Sequence, residues 1–449
     1  MKKSLIACLS AAMLAGGFWQ TAQSQTAQVQ VIYTFDSTNG SASFAGLNAW
    51  QDGNLYGTTT SGGTNGGYGT VFKLTTNGVL TSLVSFNNTN GADPQPGLTQ
   101  GSDGNLYGTT VGGGTNGGFG TVFKVTTNGL LTSLVSFAYT NGAFPYSGLT
   151  MGNDDSFYGT AFGNGGGYGT VFRVTTNGVL TTLVFFNNTN GANPHTGVTL
   201  GSDGNFYGTT AFGGTNNGYG TIFKMTTNGV LTSLVSFNNT NGSYPRGTLI
   251  LGNDGSFYGT TYFGGSNSLG TVFKVTTNGA LTSLVSFSGT NGANPAAKLK
   301  LGSDGNFYGM TYSGGSSNLG TIFKMTANGV LTTLASFNGT NGANPYSGLT
   351  SGSDGNLYGT TSGGSGNGTN GTVLKLLVPP VIGPISVSNH VSQISVKGLA
   401  RPALQIQSTT NLIASWSVLT NLVFTNGIGQ FTDSAATNAP RKFYRAAVQ

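Results

Sequence analysis

The sequence predicts an all-β chain, a seven-bladed β-propeller closed by its own N-terminal strand and followed by a small β-sandwich. Three observations point there. A Tyr-Gly pair recurs at Tyr56, Tyr107, Tyr158, Tyr207, Tyr258, Tyr308 and Tyr358, at intervals of 49 to 51 residues, the period of propeller blades or other repeat arrays. Gly fills 77 of 449 positions while aromatic residues make up 11% and charged residues only 6%, which fits turn-rich β structure and not a disordered chain. The last repeat also lacks a strand that the N-terminus supplies.

Taken in chain order, residues 1–24 read as a secretory leader. Lys2 and Lys3 precede a short apolar run from Leu5 to Phe18, and Ala22-Gln23-Ser24 offers a small-x-small cleavage site. Cys8 is the only cysteine; cleavage near Ser24 leaves a mature chain without disulfides or thiol chemistry. No later segment is apolar enough to anchor the chain as a membrane helix.

Residues 25–378 form the repeat domain. In the second unit the strand-like segments are 97–100, 105–109, 120–126 and 130–137, each bounded by Gly, Asn or Asp. The third and fourth strands meet at Asn-Gly pairs such as Asn128-Gly129, for which a type I′ hairpin is expected. The first and second meet at Asp-Gly-Asn, as in Asp103-Gly104-Asn105. Alternation in the first unit places Val71 opposite Phe72 and Leu74, and groups Leu80, Val84 and Phe86 on one face. A sheet apolar on both faces needs cover on both, which neighbouring blades provide. The seventh unit ends after its third strand at Pro379-Pro380, whereas residues 29–35 (VQVIYTF) read as a fourth strand with no first three. Joining the two closes the ring and removes exposed edges.

Residues 379–383 read as a linker and 384–449 as a sandwich module, with strand-like runs at 394–396, 404–407, 416–419 and 443–445. The units, with their LYGTT…GG…GTVFK core, resemble the GloVer, or choice-of-anchor, tandem-repeat family of secreted bacterial proteins, over about residues 29–378. The resemblance implies export and a propeller-like domain but no activity, and the strand layout is also similar to that of NHL-type propellers. The string from Gln405 through Asn411-Leu412, Trp416 and Asp433 to Phe443-Tyr444-Arg445 resembles a fibronectin- or immunoglobulin-like C-terminal module, implying sorting, attachment or spacing. The chain ends at Gln449 without the hydrophobic helix and basic tail of a sorting signal.

Composition removes most catalytic chemistry. There is no Glu, and seven of the 11 Asp (Asp52, Asp103, Asp154, Asp203, Asp254, Asp304, Asp354) fall in the repeated turn, where they are expected to accept backbone N–H groups. Asp36, Asp93, Asp155 and Asp433 remain, with no pair spaced for glycosidase work. Each turn supplies one carboxylate where a calcium site gathers several, and Asp154-Asp155 is the only doubled case, which leaves calcium open there. The two histidines, His195 and His390, sit in different domains, which supports neither a zinc site nor a Ser-His-Asp triad. Gly-rich runs such as residues 61–67 lack the Lys-Ser/Thr and helix of a phosphate loop. No cofactor is expected. Without Lys2 and Lys3, 15 basic groups face 11 acidic ones, a net of +4 (15 − 11). Seven of them recur once per repeat, spread around the fold and expected to reach outward to water, so no nucleic-acid partner is expected.

The loops carry the individuality. Both long connections of a four-stranded meander emerge on one face. After the loop Pro or its equivalent stand Phe44, Gln95, Tyr146, His195, Arg246, Ala296 and Tyr346; the other loop contributes Phe162, Phe212, Tyr262, Phe263 and Tyr312. Aromatics beside Asn and Thr suit a glycan or peptide surface; the alternative is packing between blades. Three readings follow: a non-enzymatic extracellular monomer binding a glycan or protein on this face, a polysaccharide lyase or hydrolase at the ring's mouth, or a structural envelope component.

Overall fold

The computed structural model describes residues 6–14, 17–22, 27–163, 166–364, 370–378, 381–388, 391–397, 404–409, 415–425, 428–433 and 443–448. Seven antiparallel sheets form the blades of a propeller. In the fourth, Thr199–Leu200, Phe206–Thr210, Thr221–Met225 and Leu231–Ser236 pair side by side in chain order. The fifth adds Ser243–Pro245 beside its second strand, Phe257–Phe263. The seventh pairs Thr350–Ser351, Leu357–Thr361 and Thr372–Leu377 with Gln28–Thr34, so the N-terminal strand closes the ring as its sequence predicts.

The core is divided among blade interfaces. Tyr56, Val71, Val84 and Phe86 of the first blade meet Leu98, Leu106, Phe123 and Val125 of the second. The same pattern repeats around the ring until Phe35, Tyr358 and Val373 of the seventh blade meet Leu47, Leu55, Phe72 and Leu74 of the first.

Two local expectations are corrected. The Asn-Gly turns are not type I′: Gly78 has φ +94°, but Asn77 keeps a negative φ, as do its counterparts. Gly78 N–H donates to Thr75 O at 3.0 Å, and Val79 N–H donates to Thr75 Oγ1 at 2.9 Å. This is a type I turn closed by a left-handed Gly, a three-residue loop with a bulge. Thr75 stabilises it through a further side-chain hydrogen bond to Asn77, which needs no positive φ.

The second correction concerns the fourth strand. Its register shifts by one residue between Val71 and Phe72, leaving Leu83 unpaired, and the same shift occurs in every blade. A bulge inverts the alternation beyond it. Leu80 therefore packs with Phe72 and Leu74 against the seventh blade, while Val84 and Phe86 pack against the second. Leu80, Val84 and Phe86 do not share a face.

The repeated turn carboxylates accept backbone amides, as expected; Asp203 Oδ1 takes the N–H of Asn205 at 3.2 Å. Oδ2 does more, accepting from Tyr207 OH at 2.9 Å and from Lys224 Nζ at 2.8 Å. All seven third-strand cations pair in this way (2.6 to 2.9 Å) and are not simply turned to water.

Beyond Val378, Val381–Ser388, Val391–Lys397, Ile428–Asp433 and Phe424–Thr425 form one sheet, and Phe443–Val448, Leu404–Thr409 and Ser417–Asn421 lie in another. Ile394 and Val396 from the first share a core with Ile406 and Tyr444 from the second. The second sheet is extended by Ile6–Leu14, which pairs with Phe443–Val448 and with Gly17–Ala22. The proposed cleavage residues Gln23 and Ser24, and His390, lie outside the described residues. Among the described residues no helix is long and apolar enough to cross a membrane.

Candidate functional site at the ring mouth

The residues leading into the first strand of each blade, and that strand itself in every blade but the fourth, line a central cavity of about 460 Å³. Alternate residues of an extended segment point the same way, so the wall is layered. Nearest the long loops are Phe44, Gln95, Tyr146, His195, Arg246, Ala296 and Tyr346; below them come Gly46, Gly97, Gly148, Gly197, Thr248, Lys298 and Gly348. All seven positions singled out after the loop Pro or its equivalent thus converge on one mouth.

The aromatics pack on each other and take no part in the clusters between blades. Phe44 meets Tyr346 edge-on at 4.9 Å between centroids, and Tyr346 meets Tyr312 at 4.8 Å. Tyr312 continues to Tyr262 at 6.5 Å, which contacts Phe263 at 4.7 Å. Across the mouth, His195 lies 5.1 Å from Tyr146 and 4.8 Å from Phe162. Tyr244 joins the two groups, touching Tyr262, Phe263, Phe212 and His195, with its hydroxyl 3.1 Å from His195 Nε2. Phe212 and Phe263 remain exposed.

Tyr244 was not among the residues expected from sequence. It precedes the loop Pro, where the other blades carry Ala42, Asp93, Phe144, Asn193, Asn294 and Asn344, and all seven adopt positive φ of 52° to 57°. Asn suits that conformation, whereas a bulky residue there is an outlier. Asn294 and Asn344 also tie the two long loops together, donating to Tyr262 O at 3.0 Å and Tyr312 O at 3.1 Å. In Tyr244 that position carries an aromatic side chain that joins the mouth cluster. Departure from the chain's own repeat was the signal available, but at a position one residue before those compared.

Arg246 sits inside this cluster. Its guanidinium lies 5.2 Å from the centroids of Tyr244 and Tyr262 and 5.4 Å from that of Tyr346, and Nη1 donates to Tyr346 OH at 3.0 Å. The cation and aromatic faces attract one another. Burial, with Arg246 nearby, holds His195 down to about 3, so the imidazole is neutral at physiological pH. Burial and the neighbouring Tyr346 push Tyr262 up to about 12. Opposite, Asp93 accepts from Gln95 Nε2 at 2.9 Å, and burial raises its carboxyl. Among the described residues, no three His, Cys, Asp or Glu come together as metal ligands.

A family profile described as the Gloeobacter/Verrucomicrobia repeat matches residues 12–216 and 195–380. A comparison with curated proteins finds no match. Among solved structures, a candidate 6-phosphogluconolactonase from Bacteroides uniformis is similar at 15% identity and TM-score 0.47, with 74% of this chain and 95% of that one covered. A dipeptidyl peptidase 4 from Porphyromonas gingivalis is similar at 9% identity and TM-score 0.35, with 80% and 58% covered. At these values the likenesses say nothing about function.

Proposed function

The chain belongs to the Gloeobacter/Verrucomicrobia repeat family, and from that premise we propose that it is an exported, non-enzymatic propeller that captures a glycan at its long-loop mouth. The observation that carries this reading is the aromatic arc from Phe44 through Tyr346, Tyr312, Tyr262 and Tyr244 to His195 and Tyr146. Aromatic faces stack on the apolar faces of sugar rings, while Tyr hydroxyls and Gln95 offer donors and acceptors at their edges. The leader-like sequence of residues 1–24 supports export; cleavage there would remove Ile6–Leu14 and Gly17–Ala22 from the second sheet, and the two-sheet C-terminal unit that remains suits an immunoglobulin- or fibronectin-like spacer. Glycan-array binding should fall at least about ten-fold in a Tyr146→Ala, Tyr346→Ala double variant, the scale of losing central aromatic anchors. Unchanged binding in that variant would move the site elsewhere; a peptide ligand held by the same residues would keep the face and change the partner class.

A second reading, a lyase or hydrolase, is favoured by the hydrogen-bonded His195–Tyr244 pair beside Arg246. The pair could orient a bound sugar beside the Arg246 cation, although burial leaves His195 a weak base and general-base work would need its value raised on ligand binding. Turnover of a bound polysaccharide, lost in His195→Ala, would establish it over simple capture.

A further inference from the structure

The wall of the mouth departs from the chain's own repeat in one sector. At the second layer five blades carry Gly, while the sixth carries Lys298. One step lower, Thr99, Thr150, Thr199 and Thr350 each donate through Oγ1 to the carbonyl of Leu149, Val198, Leu249 and Leu47 in the next blade, at 2.5 to 2.7 Å. The sixth blade carries Lys300 there and forgoes that stitch. Two residues apart on one extended segment, Lys298 and Lys300 face the same cavity. Lys298 is exposed to that cavity although protein surrounds it, and Lys300 is partly buried.

Among the described residues neither amine has an acidic partner. The seven ion pairs among the described residues all involve third-strand cations, and none includes Arg246, Lys298 or Lys300. No Asp lines the cavity. Three cations of two neighbouring blades therefore share one recess with no ion-pair partner among the described residues, in a wall whose low-dielectric sides strengthen their field. Burial lowers both lysines, with Lys300 contributing at Lys298. Arg246 uses Nη1 on Tyr346 and keeps further N–H groups for an acceptor.

Resting on the glycan reading above, we infer that the ligand is an acidic saccharide whose carboxylate or sulfate is held by Arg246, Lys298 and Lys300 while its ring lies on the aromatic arc. A uronate and a sulfated sugar share this chemistry, since a planar guanidinium and two ammonium groups suit either oxyanion.

The test is calorimetric titration of the full chain with a trigalacturonate, a neutral galactotriose and a sulfated galactan oligosaccharide. Wild type is compared with Arg246→Gln and with a Lys298→Gly, Lys300→Thr double variant. Each change installs the residue of another blade at the same place (Gln95, Gly97, Thr99), and thermal melts verify folding. At least one acidic oligosaccharide should bind ten-fold or more tightly than the neutral one, and the double variant should lose at least ten-fold for the acid alone. The stronger acidic ligand identifies carboxylate or sulfate as the group recognised. Equal affinity for acidic and neutral sugars, or an unchanged double variant, overturns the anionic assignment and leaves glycan capture standing. Binding of no saccharide at all removes glycan capture itself, and the anionic assignment with it.

Discussion

At the scale of single residues, the repeated Asp-Tyr-Lys group shows how much work one side chain does when it is placed in a turn. Asp203 serves the turn through one oxygen and Tyr207 and Lys224 through the other. The carboxylate and the lysine are each about one-third exposed, so the ion pair contributes below about 1 kcal/mol. The Tyr207 ring is fully buried and its hydroxyl donates to a charge, for which about 1.5–3 kcal/mol is expected. Urea titrations should therefore rank Tyr207→Phe as more destabilising than Lys224→Met; the reverse order would make the ion pair dominant. Proton linkage separates two acid effects. Burial pulls Asp203 upward, but Lys224, Asn205 and Tyr207 outweigh it and hold the carboxyl well below 3.8. Its contribution is present above about pH 4 and is lost only as pH falls through the lower folded value. His195 acts earlier. Its ordinary value of 6.5 falls to about 3 in the fold, so the unfolded chain binds a proton first and stability declines as pH drops below 6.5. Between pH 7 and pH 5, wild type should lose more of its urea midpoint than His195→Gln; equal losses would mean that the imidazole titrates normally. The turn role of Asp203 was legible because it is local, whereas the lysine's partner required the pairing of Tyr207 with Lys224 across two strands.

At the scale of elements, turn and bulge are one device. The unpaired bulge residue of every fourth strand but the sixth blade's turns its carbonyl toward the Gly of the next blade's turn. A Cβ on Gly229 would lie 2.8 Å from Leu183 O, and on Gly129 2.7 Å from Leu83 O. The bulge thus redirects the fourth strand's side chains to both neighbours and seats the adjoining hairpin. Neither half of this was legible. Asn-Gly is compatible with two turn types, and strict alternation conceals a single extra residue, so Leu80, Val84 and Phe86 read as one face. Two glycines with similar backbone separate the contributions. Gly229 (φ +90°) meets Leu183 O, whereas Gly204 (φ +75°) has nothing within 4 Å of an added Cβ. Gly204→Ala bears only the left-handed penalty, about 1–2 kcal/mol. Gly229→Ala adds the clash with a backbone atom and should be destabilised further in urea unfolding. Matching losses would show that the neighbouring blade shifts freely and that the contact does not seat the hairpin.

At the scale of the molecule, the repeats served as their own control. A framework repeated almost letter for letter exposes Arg246, His195 and the loop aromatics as departures, which is why the mouth was legible before its geometry was. Tyr244, Lys298 and Lys300 escaped because only the residue after the loop Pro was compared at this wall. Ring closure was the most legible feature, since a missing strand and a surplus strand name each other, and it leads to the most demanding test. Gln28–Thr34 supplies every backbone partner of the outer edge of Thr372–Leu377. It also brings Val29 against the cluster that buries Leu374 and Leu376. Deleting residues 27–36 leaves an unpaired strand edge, and such an edge pairs with another chain. It also opens the one interface, between the seventh and first blades, that no continuous stretch of repeats bridges. The deletion variant should melt at lower temperature and form dimers or larger species in light scattering after size exclusion. A synthetic peptide of residues 27–36 should restore both the monomer and the melting point by occupying the vacant edge. A deletion variant that stays monomeric and melts like wild type would mean that the first and seventh blades hold the ring closed through side-chain packing alone.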